Sequence, residues 1–157
     1  MSKIFETAQD ILELAQTKFE ETGLPQLGIN LKVLSVTKGK QILKVSRANP
    51  TTQFLTKKDV ILTIYEEAFD RLSDEYKEKL MEGAFSNVAY DSEKDKLLVE
   101  GEFSKEIFRM RKKYNNYTDI AEASFIVIEQ IEEEEKQRKE EERLMKAEQK
   151  ARKNKQV

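Results

Sequence analysis

Apolar residues near the start of the chain recur at helical spacing. Ile4, Ala8, Ile11, Leu12, Ala15 and Phe19 alternate with Glu6, Asp10, Glu13 and Lys18. Residues three and four apart share a helix face, so the pattern predicts an amphipathic helix, ended by Gly23-Leu24-Pro25. The period then shortens to two. Ile29 to Val36 reads as a strand, Thr37-Lys38-Gly39-Lys40 as a turn, and Gln41 to Val45 as the hairpin partner. Ala48 to Thr56 is polar, contains Pro50 and reads as a loop. Val60 to Tyr65 is short and rich in β-branched residues, the signature of a buried strand.

Helical spacing returns with Leu72, Tyr76, Leu80, Ala84 and Val88, behind a start at Ser73-Asp74-Glu75. A side-chain oxygen there caps the first free amides, and the acids oppose the positive end of the helix dipole. Ala89-Tyr90-Asp91 and Lys96 to Val99 flank a polar turn and predict another hairpin. Phe103, Ile107, Met110 and Tyr114 mark a further helix, with Lys105, Arg109, Lys112 and Lys113 facing outward and Asn115-Asn116 as its break. Thr118 or Asp119 can cap a last helix that packs Phe125 to Ile128 and Ile131 inward. The expected fold is α+β: a small, mostly antiparallel sheet packed with helices, followed by a long charged C-terminal helix.

From Glu132 the pattern loses its apolar face. Glu132/Lys136, Glu134/Arg138, Glu135/Lys139 and Glu142/Lys146 are acid-before-base pairs four residues apart. Each adds about 0.2–0.5 kcal/mol to an exposed helix. No apolar residue falls between Ile131 and Leu144, which leaves no coiled-coil seam there. Residues 1–131 therefore read as the folded domain and 132–157 as a helical tail. Leu144 and Met145 are its candidate partner contacts.

Composition narrows the chemistry. The chain has no histidine and no cysteine, so it lacks the usual neutral-pH base, the commonest metal ligand and every thiolate. No serine or threonine has a histidine to activate it. The expectation is no catalytic residue, no metal and no cofactor. Net charge is −2, which gives no bulk attraction to nucleic acid or an anionic membrane. No apolar run approaches the roughly 18–20 residues of a membrane span. The segment Met1 to Glu6 lacks a signal-peptide core, and a cytoplasmic protein is expected.

Three clusters carry side chains capable of chemistry. Asp91-Ser92-Glu93-Lys94-Asp95-Lys96, with Glu102 in twelfth place, has the oxygen spacing of a calcium loop but Lys96 where the turn needs glycine, so a hairpin turn is expected. Glu66, Glu67, Asp70 and Asp74 gather near a helix start without a phosphate loop and read as surface charge. Arg109, Arg111, Lys112 and Lys113 beside Tyr114 and Tyr117 form a candidate nucleic-acid contact, since cations can follow phosphates while aromatics stack on bases. Gly83 within a predicted helix costs about 1 kcal/mol relative to alanine, which implies close approach of another helix or of a partner.

The order of elements, with Phe69 to Glu82, then Leu80 to Asp91, then Phe103 to Phe108 and Lys112 to Tyr114, resembles the zincin-like metallopeptidase family of bacteriophages. The resemblance covers about residues 25–115. In that family an HExxH segment carries the zinc. Its two histidines and glutamate would fall on Gly83, Asn87 and Ala84, with a third ligand near Phe103. Glycine and alanine supply neither ligand nor base, so the resemblance implies a degenerate member that has lost the zinc motif. The resulting expectation is a non-catalytic interaction or structural protein, phage-encoded, acting in host cytoplasm or virion, with a protein partner. Phe85 and Phe108 join Leu144 and Met145 as candidate contacts. The alternative is a nucleic-acid-associated accessory protein that uses the basic helix and tail.

Overall fold

A computed structural model describes residues 2–155. The chain runs through strand β1 (Ile4–Phe5), helix α1 (Gln9–Glu21), β2 (Leu31–Val36), β3 (Leu43–Arg47), α2 (Pro50–Thr56) and β4 (Val60–Tyr65). It continues through α3 (Glu66–Asp70), α4 (Asp74–Phe85), β5 (Val88–Asp91), β6 (Lys96–Val99), α5 (Phe103–Arg111) and α6 (Tyr117–Lys155). The fold is α+β. A mixed four-stranded sheet has the order β1-β2-β4-β3, and β5 and β6 form a separate antiparallel pair.

The strand rich in β-branched residues takes the centre. Val60, Leu62 and Ile64 of β4 are fully buried, and β4 has a neighbour on each side. This corrects the hairpin expected between β2 and β3. β2 pairs with β4 in parallel, Val33 opposite Leu62, whereas β3 pairs with the other edge of β4 in antiparallel sense, Leu43 opposite Ile64. Residues 37–42 carry the chain past the end of β4 instead of turning it back on β2. The most apolar strand thereby gains two neighbours where a β2–β3 hairpin would leave it one.

Two other local expectations are corrected. Ile4 does not begin the first helix: with Phe5 it pairs antiparallel to β2, opposite Val36 and Ser35. The buried Ser35 hydroxyl donates to Thr7 Oγ1 at 2.9 Å, which fixes the chain just before α1. The segment expected as loop around Pro50 holds α2. Asn49 caps it by accepting from the Thr52 amide at 2.8 Å, and Pro50 occupies the first turn, where a missing N–H leaves no bond unmade.

One face of the sheet, through Val33, Ser35, Leu43, Val45, Val60, Leu62 and Ile64, is buried in the core. Against that core pack Ile11, Ala15 and Phe19 of α1 and Leu80, Met81, Ala84 and Phe85 of α4. The opposite face, through Lys32, Leu34, Ile61, Thr63, Lys44 and Ser46, is only half covered. Helix α6 buries Tyr117, Ile120, Ala121, Ser124, Ile128 and Ile131. That spacing leaves Phe125 and Ile126 on the outer flank, exposed, which corrects the expectation that both pack inward. Phe125 instead meets Phe103 edge to face, ring centres 5.3 Å apart.

The tail is anchored a little beyond Ile131. Arg71 grips both carboxylate oxygens of Glu134, at 3.0 and 2.7 Å, and Lys38 binds Glu135 at 2.9 Å. Glu134 thus serves the domain rather than Arg138. Of the four expected pairs along the helix, Glu135–Lys139 at 3.3 Å is formed. Every residue from Lys136 to Lys155 is exposed. No helix among the described residues is long and apolar enough to cross a membrane.

Two changes on α6 should have opposite consequences for stability. A chain ending at Lys139 keeps both anchors and every buried side chain, and is expected to melt at the temperature of the full chain. Ile131→Ala is expected to cost about 2–5 kcal/mol in a urea titration, because it opens a cavity in the core. A tail deletion that lowers the melting temperature would place part of the core beyond Lys139.

Candidate functional site

Helix α4 stops at Phe85, and the chain turns through Ser86 and Asn87 into β5. Ser86 stabilises the stop by donating its hydroxyl to the Gly83 carbonyl at 2.5 Å. The zinc-motif positions therefore do not share one helix face. Gly83 and Ala84 are buried inside α4, and Asn87 lies beyond its end.

Asn87 is brought instead against Glu106 of α5. Its amide donates to Glu106 Oε1 at 2.7 Å, and the Tyr117 hydroxyl donates to Glu106 Oε2, also at 2.7 Å. Arg109 donates to the Asn87 side-chain oxygen and, at 3.4 Å, to the Ser86 hydroxyl. The Arg109 Nε is buried without a partner. Arg109, expected to face outward, is thus drawn inward by these bonds. Glu106 is 3% exposed and Tyr117 0%. Burial pushes the Glu106 carboxyl above its usual range, although Tyr117, Asn87 and the Arg109 charge oppose the shift. Burial, then the Glu106 charge, raise the Tyr117 phenol far above its ordinary value, so it remains a neutral donor.

Gly83 makes this arrangement possible. A Cβ at that position would lie 1.8 Å from the Tyr117 hydroxyl oxygen and 2.6 Å from the ring carbon that bears it. The close approach implied by a glycine inside a helix is made by Tyr117. Sequence reading missed both Glu106 and the buried role of Tyr117. The signal for Glu106 was its position: it stands three residues from Phe103 and four from Met110, on the apolar stripe of α5.

A cleft of about 430 Å³ opens beside this network. Its lining includes Asn87, Phe103 and Glu106, the β3 residues Leu43, Lys44 and Val45, and Gly39, Glu100 and Gly101 from the adjoining loops. Phe103, expected near a third ligand, contributes an aromatic ring. The remaining carboxylates do not converge. Glu67 lies 3.7 Å from Arg71, while burial raises Asp70 against the pull of Lys77. Asp91 accepts from the Glu93 and Lys94 amides at 3.1 and 3.3 Å, which shapes the β5–β6 turn. Among the described residues, no group of three or more Asp or Glu is placed to hold a metal.

The candidate partner contacts separate into two sets. Phe85 is 1% exposed and packs on Phe19 with ring centres 5.3 Å apart, which removes it as a surface contact. Phe108, Leu144 and Met145 are exposed. Lys112 stands over the Phe108 ring at 4.9 Å, and Arg111 is beside it. Lys113 is bound to Glu82, which also accepts from Tyr114 at 2.6 Å. Burial alone would raise Glu82, yet these two donors hold it below the usual range. The candidate nucleic-acid cluster is therefore broken up: Arg109, Lys113, Tyr114 and Tyr117 all serve internal bonds, leaving Arg111 and Lys112.

The chain matches no family model, no curated protein and no solved structure.

Two experiments follow from this geometry. In an ordinary helix Gly→Ala gains about 1 kcal/mol. Here Gly83→Ala is expected to destabilise by about 1–3 kcal/mol, because the methyl group meets a rigid phenol. Combined with Tyr117→Leu it should cost less than the two separate losses added, by more than about 0.5 kcal/mol. Strict additivity would remove the proposed clash. The second concerns pH. With its folded-state pKa raised, Glu106 contributes stability that is complete below its unfolded pKa and is lost as pH rises through the folded one. The stability of the native chain relative to Glu106→Gln should therefore fall as pH rises above about 4, the ordinary glutamate range. A difference that does not vary with pH would contradict a raised Glu106.

Proposed function

We propose that this chain is a non-catalytic interaction or structural protein, built on a degenerate fold of the phage metallopeptidase type and acting through surface contacts with a protein partner. The observation that carries the reading is the closed bonding of Glu106 and Asn87, two of the residues that line the cleft. Both Glu106 oxygens and both polar atoms of the Asn87 side chain are engaged by protein groups. Glu106, the acid bonded to Asn87, is almost wholly out of solvent reach. A general base must reach the proton it removes, within about 2.6–3.2 Å or through one water. A buried carboxyl held by a phenol and an amide instead ties α4, α5 and α6 together.

Partner binding is supported by what the fold leaves outside. The α6 arm extends 20 exposed residues beyond Glu135, about 30 Å at helical rise, and carries Leu144 and Met145. Phe108 adds an exposed aromatic on α5. Charged side chains alone would suffice to keep such an arm solvated, so the adjacent apolar pair is where a partner gains contact area.

The test combines chemistry with binding. Protein purified in zinc-containing buffer is expected to retain no stoichiometric zinc and to cleave no peptide library. A partner cross-linked to the full chain is expected to be lost from a chain ending at Arg143, or from Phe108→Ser. Stoichiometric zinc with peptidase activity would overturn the reading. So would a full chain that cross-links to no protein in its native cell.

A further inference from the structure

The chain as a whole is slightly acidic, yet its cations are unevenly placed. Residues 22–65 hold seven Lys or Arg and a single acid, Asp59. Asp59 is occupied: one oxygen accepts from the Asn30 amide at 2.8 Å and the other from Gln53 at 2.7 Å. Lys38 is bound to Glu135. The other six, Lys32, Lys40, Lys44, Arg47, Lys57 and Lys58, take part in no ion pair among the described residues. A protein with 30 acids leaves this group of bases unneutralised.

The sheet arranges them. Lys32, Leu34, Ile61, Thr63, Lys44 and Ser46 share the face turned away from the core. The register sets Lys32, Ile61 and Ser46 in one row and Leu34, Thr63 and Lys44 in the next. Rows on one face are two residues apart, about 7 Å along the strands. Lys57, Lys58 and Arg47 lie beyond the Lys32 row, where β3 ends and β4 begins, and Lys40 follows the opposite end of β2. The cations thus form successive tiers along the sheet.

At the α2 end, Phe54 and Leu55 are 74% and 73% exposed. They are held out on a capped helix fastened by the Asn30, Gln53 and Asp59 bonds. Lys57 stands over one face of the Phe54 ring, at 5.1 Å. At the other end, the cleft beside Lys40 and Lys44 offers about 430 Å³.

We propose that this sheet face and α2 bind a single-stranded nucleic acid. Tiered, unpaired cations on a half-apolar face match a polyanion backbone, and the exposed Phe54 ring offers a stacking surface. The cleft admits an unstacked base, which a duplex does not present. An anionic membrane is the less favoured partner, because Lys32, Lys44 and Lys40 continue the cations along the sheet, away from the apolar tip that carries Lys57. The inference stands apart from the protein-partner reading: it uses neither α6 nor Phe108.

The experiment is fluorescence anisotropy of a labelled 30-nucleotide single strand, with a 30-base-pair duplex and phosphatidylserine vesicles as separate arms, using the full chain. The single strand is expected to bind most tightly, and its affinity to fall steeply as salt rises. The variant Lys32→Gln/Lys44→Gln/Lys57→Gln/Lys58→Gln, confirmed folded by circular dichroism, should bind at least about tenfold more weakly. Its slope of log K against log salt should be reduced by about 3, from roughly 0.7 per lost phosphate contact. Arg111→Gln/Lys112→Gln should bind as the native chain does. The proposal is overturned by unchanged anisotropy of the single strand at low salt, by undiminished binding of the quadruple variant, or by preference for the duplex or the vesicles.

Discussion

Helices α4 and α6 meet across a gap that a single methyl group would close. The phenol of Tyr117 occupies the space a side chain at Gly83 would need, and its hydroxyl reaches Glu106 there. Much of the helical half of the domain depends on that approach. It carries the start of α6 against α4, fixes α5 through Glu106, and draws Asn87 and Arg109 into one bonded group. A buried carboxyl is costly unless its oxygens are satisfied, so the Asn87 and Tyr117 donors are conditions for Glu106 to be there at all. The same bonds occupy both Glu106 oxygens and both polar atoms of the Asn87 side chain.

A second constraint is the division of charge. Acids dominate α3, α4 and the first part of the tail, and two of them anchor α6 to Arg71 and Lys38. The β2–β4 segment is basic and largely unpaired. Overall net charge conceals this division, because opposite regions cancel in the sum. A formal charge of −2 speaks to bulk attraction and says nothing of a local surface. The concentration of bases between residues 22 and 65 was present in the sequence, but the register was needed to set Lys32 and Lys44 on the same open face.

Local patterns were most legible where one physical signal dominated. The β-branched run at Val60 to Tyr65, the Ser73 cap and the β5–β6 hairpin each follow from neighbouring residues. Pro50 is ambiguous in sequence because the same residue breaks a helix interior and starts a helix. Asn49 before it decides for the start. Ile4 matched helical spacing by coincidence, since strand pairing with Val36 depends on a segment more than thirty residues away. Phe85 looked like a free aromatic because sequence does not reveal that Phe19 faces it.

By itself the sequence determined the α+β class, the absence of histidine and cysteine chemistry, and a charged helix too polar to bury. Those follow from residue type and short-range spacing, which need no knowledge of what lies across the fold. Tertiary structure alone decided that β4 separates β2 from β3, that Gly83 receives Tyr117, and that Glu106 is buried rather than solvated. Each depends on long-range partners. Which strand gains most from the centre, and which acid finds two donors, is settled only when distant segments compete for the same core.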